Sequence, residues 1–472
     1  MSSTTTCVLE LESQTQPETA SAKNQVLTER SLRESDNASA CRESQLSTPP
    51  GTAVPALERW NYPRSNILRT FATFWSFLIM GANDAASAET HPSSSQTHGL
   101  TAALQLEDYY HLSYTVVSLI FLSPLVGYVF AALLNNRIHM TLGQRGVALL
   151  GPGCHILAYV VNCVHPPYPV LVVFFIFAGF GNGLEDSAWN AWIGNMANAN
   201  EVLGLLHGFY GLGAVLSPLV ATALITKANV QWYYFYYVMI PCAVIELFFL
   251  TIAFWGATGA EFRKSVAHTV DTKKGGIREA LFRRPSARVT WLCALFLLGY
   301  VGIEVALGGW IVTFMMRVRN GSAFSSGLTE TGFWLGITVG RVSLGFVTGR
   351  IGERIAIAAY ILFAMVFCLI LWLVPQFYAS AVAVSLQGFF LAPLFPAAVV
   401  VTTKLLPRHL HVSSIGFAAA FGGGGAAVLP FVVGAIAEAK GVKVLQPFIL
   451  GVSGAILFLW LCLPRVSKIR HD

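Results

Sequence analysis

Gly204-Leu-Leu-His-Gly-Phe209-Tyr-Gly211-Leu-Gly213-Ala214-Val-Leu-Ser-Pro218-Leu-Val220-Ala-Thr-Ala223 decides how this chain is read, because the passage occurs twice. Its pattern returns 212 positions later as Gly416, Phe421, Gly423, Gly425, Ala426, Pro430, Val432 and Ala435. Both copies lie in apolar runs long enough to cross a hydrocarbon core of roughly 30 Å, which takes about 20 helical residues. The same order of small residues on two membrane helices implies a duplicated half. The repeat reaches further, since Gly179-Phe180 matches Gly388-Phe389, and Gly127 corresponds loosely to the Gly340–Arg354 region.

With 54% hydrophobic and 11% charged residues among 472, the chain is too apolar for an ordinary soluble fold. Apolar stretches predict spans near 67–88, 113–134, 146–164, 168–194, 202–226, 232–256, 289–315, 327–349, 355–374, 377–403, 411–438 and 444–463. The expected fold is therefore all-α, a polytopic membrane protein of 12 transmembrane helices in two parallel six-helix halves. Residues 1–66 read as a disordered cytosolic tail, since the Ser-, Thr-, Glu- and Gln-rich start lacks an apolar run. The first bundle is placed at 67–256, a basic cytosolic linker at 257–288, the second bundle at 289–464 and a short cytosolic tail at 465–472.

The formal charge of +6 has a simple distribution. Arg59, Arg64, Arg69, Arg137, Arg145, Arg263, Lys264, Arg283, Arg284, Arg288, Arg350, Arg354, Lys404, Arg408 and the tail fall on one side, against Lys227, Arg317, Arg319, Lys440 and Lys443 on the other. That bias predicts both termini in the cytosol. Nucleic-acid binding is the weak reading and no nucleic-acid partner is expected, because no basic segment has interleaved aromatics. No triad, metal cluster or phosphate loop appears, so neither an enzyme nor a metal or cofactor is expected. The eight Cys are scattered, mostly in or beside spans where they act as small apolar residues; Cys154 and Cys163 are the nearby pair.

Acidic residues inside spans are the sharper signal. A carboxylate at mid-helix costs about 2.5–3.5 kcal/mol on insertion scales, so such residues usually face a cavity. Asp84 in the first span, Asp186 with its neighbour Glu185 in the fourth, and Glu304 in the seventh stand out. Asp186 and Asn190 are four apart and so share a helix face. The alternative is a carboxyl satisfied by hydrogen bonds between helices. Trp189, Trp192, Tyr210, Trp310 and Phe314 offer aromatic faces for a sugar ring, or else pack. His207 has Ala419 as its counterpart in the second copy, an asymmetry that suits binding or proton relay as well as a helix-interface hydrogen bond.

Several phrases resemble the major facilitator superfamily. Gly345-Phe-Val-Thr-Gly349-Arg350-Ile-Gly352-Glu353-Arg354 is similar to its loop motif Gly-x-x-x-Asp-Arg-x-Gly-x-Arg, with Gly349 where that family usually has Asp. The resemblance implies a gating role for Gly345, Arg350, Gly352 and Arg354. Gly179-Phe-Gly181-Asn182-Gly183-Leu-Glu185-Asp186-Ser187-Ala188-Trp189-Asn190 resembles the helix-4 motif of the fucose:proton symporter branch, and Asn83-Asp84 its helix-1 pair. Fungal members look similar in Tyr109-Tyr110-His111-Leu112-Ser113, Leu206-His207-Gly208-Phe209-Tyr210 and Tyr300-Val301-Gly302-Ile303-Glu304. One departure is the polar stretch Ser87–Thr101, where related sequences continue with small and apolar residues.

The resemblance implies proton-coupled symport of a small polar solute such as a sugar, by a monomer in the plasma or vacuolar membrane. Asp186 would carry the coupling proton, Asp84 would bind hydroxyls or share that proton, and Asn190 would orient the solute. Glu304 would contribute from the second half, with Asn83, Trp189, His207, Tyr210 and Trp310 completing the expected site. An uncoupled facilitator or exporter of metabolites or drugs, and a membrane sensor that moves nothing, are the competing readings.

Overall fold

The computed structural model describes residues 57–88, 109–112, 116, 119–267 and 276–464. The tail to 56, residues 89–108 with most of the polar stretch Ser87–Thr101, residues 268–275 of the linker and the end from 465 lie outside them. Six long helices come first: α1 (Ser65–Ala88), α2 (Leu119–Thr141), α3 (Gln144–Cys163), α4 (Tyr168–Gly194), α5 (Ala199–Thr226) and α6 (Tyr234–Phe254). Two short helices follow, α7 (Gly259–Ala267) and α8 (Ile277–Phe282). The second set is α9 (Ser286–Arg319), α10 (Ala323–Ile351), α11 (Glu353–Leu373), α12 (Phe377–Leu391), α13 (Leu394–Leu405), α14 (Arg408–Lys440) and α15 (Leu445–Leu461).

By length and composition, nine spans among the described residues are long and apolar enough to cross a membrane, with α12 and α13 counted together. The remaining long helices are α1, α2 and α10, of 24, 23 and 29 residues. Within them lie the polar residues Asn83 and Asp84, Asn135 and Arg137, and Arg341 and Arg350. Among the described residues twelve long helical spans result, as expected, with α12 and α13 taken as one. The tenth differs from expectation in being broken at Ala392-Pro393, where Pro393 precedes α13. A proline has no amide hydrogen and its ring crowds the preceding turn, so it interrupts the ladder. Its counterpart α4 runs unbroken.

Two tight corners repeat. Gly143 joins α2 to α3 and Gly352 joins α10 to α11, at φ 75° and 93°. A residue with a Cβ resists that left-handed backbone, so each corner, of two residues in the first case and one in the second, requires glycine.

The repeated glycines set the helix crossings. In the first half α5 lies on α1, and a Cβ on Gly213 would overlap the Leu78 carbonyl; in the second α14 lies on α9, and a Cβ on Gly425 would overlap the Leu298 carbonyl. Gly127 and Gly179 likewise press α2 against α4, as Gly340 and Gly388 press α10 against α12. Between halves α5 crosses α10, where a Cβ on Gly204 would meet the Arg341 carbonyl at 2.5 Å and one on Gly345 the Asn200 carbonyl at 2.8 Å. Gly416 of α14 faces Ser187 and Ala132, whereas Gly424 has open space around it and no close crossing. Close approach through small residues is the usual means of membrane helix association.

Several of the basic residues on the side read as cytosolic cap helix ends. Arg69 donates to the Ala253 carbonyl (3.0 Å), Arg263 to Met140, Arg288 to Cys462, and Arg354 to Leu461 and Leu463 (both 3.0 Å). Cations are favoured there by the helix dipole and the free carbonyls. Cys154 and Cys163 are free thiols.

Candidate functional site

Asp84 is half-buried near the end of α1 and gathers donors from three helices. Its Oδ1 accepts from Asn182 of α4 (2.8 Å) and from its neighbour Asn83 (3.2 Å), and its Oδ2 from the Tyr210 hydroxyl of α5 (3.0 Å). Asp186 is buried one residue beyond Glu185 on α4. The Asn190 amide donates to its Oδ1 at 2.6 Å and to its carbonyl at 2.8 Å, as the spacing of four allows. The Asn190 Oδ1 in turn accepts from His207 Nε2 (3.0 Å), whose ring meets Phe77 of α1 and Phe395 of α13. Through that last contact the Asp186 group touches the second half.

A second bridge between halves involves a residue that the sequence reading passed over. The Arg341 guanidinium of α10 sits over the Tyr210 ring, 5.6 Å from its centroid. Its Nη2 donates to Glu304 Oε1 of α9 at 2.9 Å, and both side chains are buried. Asp84, Tyr210, Arg341 and Glu304 thus form a continuous polar path from α1 through α5 to α10 and α9. Glu304 is an ion-paired acid here, with a cation taking its charge.

Other expected residues are placed differently. Trp189 is fully buried and stacks on Phe254 at 4.5 Å, so its ring is closed off inside the first half. Trp310 donates its indole hydrogen to the Pro430 carbonyl (3.1 Å), joining α9 to α14. Trp192 packs edge-on against Phe254, and Phe314 lies buried beneath Arg319. In the loop motif, Arg354 caps α15, Arg350 is exposed, and Glu201 of α5 occupies the space beside Gly349. Asn182 was named in the sequence reading only as part of a motif, and three ionisable residues escaped it: Arg341, His155 and Glu246. Each was signalled by being a lone ionisable residue within an apolar run.

The chain matches the sequence profile of the Major Facilitator Superfamily over residues 73–354 and 305–471. It belongs to the major facilitator superfamily. It is therefore a multi-pass membrane transporter and not an enzyme. It is 28% identical over 431 residues to Bypass of stop codon protein 6 of Saccharomyces cerevisiae, covering 85% of this chain and 83% of that one. To the glucose/mannose transporter GlcP of Bacillus subtilis it is 28% identical over 277 residues, 57% of this chain and 65% of GlcP. Among solved structures it resembles FucP in the outward conformation, with TM-score 0.65 and 17% identity over 84% of this chain and 98% of that one.

In this major facilitator several contacts join the halves at the ends of α4 and α13 and the starts of α5, α11 and α14. Asn195 at the end of α4 bonds His411 of α14 (3.0 Å), Thr403 of α13 donates to the Gly194 carbonyl (2.8 Å), and Asn200 of α5 donates to Glu353 of α11 (2.6 Å). Val399, Val400, Val412 and Ile415 complete an apolar cluster whose other buried members come from the first half. Lys404 holds Glu353 at 2.6 Å, fixing its carboxyl for Asn200. Losing one such hydrogen bond costs about 1 kcal/mol. Thr403→Val should therefore open this side about fivefold more often. Hydrogen–deuterium exchange of 194–203 and 403–415 should quicken accordingly, and unchanged exchange would show the contact to be idle.

Proposed function

We propose that this transporter carries a small polar solute, a sugar, in symport with protons by alternating access. The halves at 67–256 and 289–464 are the moving bodies, and 257–288 joins them. The observation that carries the reading is the placement of two carboxyls of α1 and α4 on groups that reach across to the second half. Asp84 reaches Arg341 through Tyr210, and Asp186 reaches Phe395 through Asn190 and His207. A carboxyl enclosed by protein and lipid is costly as an isolated charge, so a change in its proton count changes which packing of the halves is favoured.

Asp186 is the coupling acid, because among the described residues Asn190 is its one side-chain donor and its carboxyl retains capacity for a proton. Asp84 is already served by three donors, which a sugar hydroxyl or the displaced Tyr210 can exchange. Asn190 and Tyr210 orient the solute, and Arg341 with Glu304 sets the charge on the opposite wall. A sugar is supported by GlcP, named as a glucose/mannose transporter, and by FucP, described as a fucose:proton symporter. Both termini are cytosolic, in the plasma or vacuolar membrane, as the basic bias implies.

The test is uptake of a hexose and deoxyhexose panel into proteoliposomes with and without an imposed pH gradient. Accumulation of one sugar that is driven by the gradient and abolished by a protonophore supports the reading. Sugar flux indifferent to the gradient would select an uncoupled facilitator, and sugar binding without flux would select a sensor.

A further inference from the structure

Behind Asp84, inside the first half, lies a cluster that the transport reading leaves unused. His155 of α3, Glu185 of α4 and Glu246 of α6 are all fully buried, and one ligand atom from each lies within 4.8 Å of the others. His155 Nδ1 is 3.0 Å from Glu246 Oε2, and the Ser76 hydroxyl of α1 bonds Glu185 Oε2. Among the described residues, Glu185 Oε1 and Glu246 Oε1 have no hydrogen-bond partner. The site is built with room for these groups, since a Cβ on Gly151 would collide with the Glu185 carboxyl and one on Gly181 would press on the His155 ring at 3.0 Å.

The amide of Asn182 fixes where the hydrogens are. Its Nδ2 donates to Asp84, so its Oδ1 faces His155 Nε2 at 2.9 Å and can only accept. Nε2 therefore carries a hydrogen, and Nδ1 meets Glu246 either as a bare acceptor or as the second N–H of an imidazolium. One proton must lie in that contact in either case: on Glu246 in the first, on the ring in the second. Glu185 then presents another carboxyl to the same space. Among the described residues no Lys or Arg pairs with the cluster. Its neighbours are Ser76 and Asp84 on α1, Tyr128 on α2, Cys154 and Tyr159 on α3, Asp186 on α4 and Cys242 on α6. None of these supplies a fixed positive charge, and an uncompensated carboxylate in such surroundings is strongly disfavoured.

We propose that His155, Glu185 and Glu246 form an enclosed proton-binding site that holds two protons, one in the His155–Glu246 contact and one on Glu185. Asn182 joins it to Asp84, so a change in its proton count alters the hydrogen bond that Asp84 receives from α4. The proposal deepens the proton-coupled reading, on which its meaning for transport rests, but adds a station distinct from Asp186. Its test uses no solute, so its outcome is separate from that of the transport assay.

The full-length protein in lipid nanodiscs is examined by infrared spectroscopy at neutral pH in H2O and D2O. A carboxylic-acid C=O band is expected that shifts in D2O, moves on 13C labelling of glutamate, loses intensity in Glu185→Gln and persists in Asp186→Asn. Absence of a glutamic-acid band in the unmodified protein, which needs no variant, would overturn the proposal. So would a band untouched by Glu185→Gln, or a divalent metal found by elemental analysis at about one per chain, which would make the cluster a metal site.

Discussion

Asp186→Asn protein in proteoliposomes is expected to lose proton-driven accumulation of its sugar while keeping counterflow exchange. A gradient of two pH units stores about 2.7 kcal/mol per proton, enough for about a hundredfold concentration ratio at one proton per solute. Asn keeps the shape of Asp and can still pair with Asn190, but it cannot take up a proton. Accumulation should therefore fall from about a hundredfold to a ratio near one. Exchange should survive, because it needs only the loaded carrier to reorient. If Asp186→Asn still concentrates sugar, the coupling acid lies elsewhere. If exchange fails as well, Asp186 serves the binding of the solute.

Breaking the Arg341–Glu304 pair should produce the largest loss of stability. Both partners are nearly enclosed, with side-chain exposures of 5% and 7%. Removing one leaves the other as an unpaired charge, which costs about 3–5 kcal/mol for buried pairs. Thermal unfolding of Arg341→Ala in detergent should show a loss of that order. The double variant Arg341→Met with Glu304→Leu should recover most of it, since it removes both charges and fills their volume. A single variant as stable as the parent would show that water already reaches the pair.

The architecture was readable because the duplicated residues are glycines with steric work to do. Gly213 and Gly425 each admit the carbonyl of a neighbouring helix, so the repeat in sequence is a repeat of crossings. The Asp186–Asn190 pair was readable for a similar reason, as helical spacing alone brings the two together. The rest of the network was not. His155, Glu246 and Asn182 come from three helices, and only tertiary packing makes one cluster of them. Arg341 was passed over when acids alone were weighed, although a lone cation inside an apolar run carries the same insertion penalty. Trp189 misled because an aromatic beside a polar motif reads alike whether it lines an opening or, as here, stacks on Phe254.

The interruption at Ala392-Pro393 makes the two halves mechanically unequal. Below the joint, α13 carries Phe395 against His207 and Thr403 against the Gly194 carbonyl, so one swivel of this short rod would release both together. Its unbroken counterpart α4 has no such pivot. The second half thus carries at this position a joint that the first half lacks, so the two repeats need not yield alike to the same load.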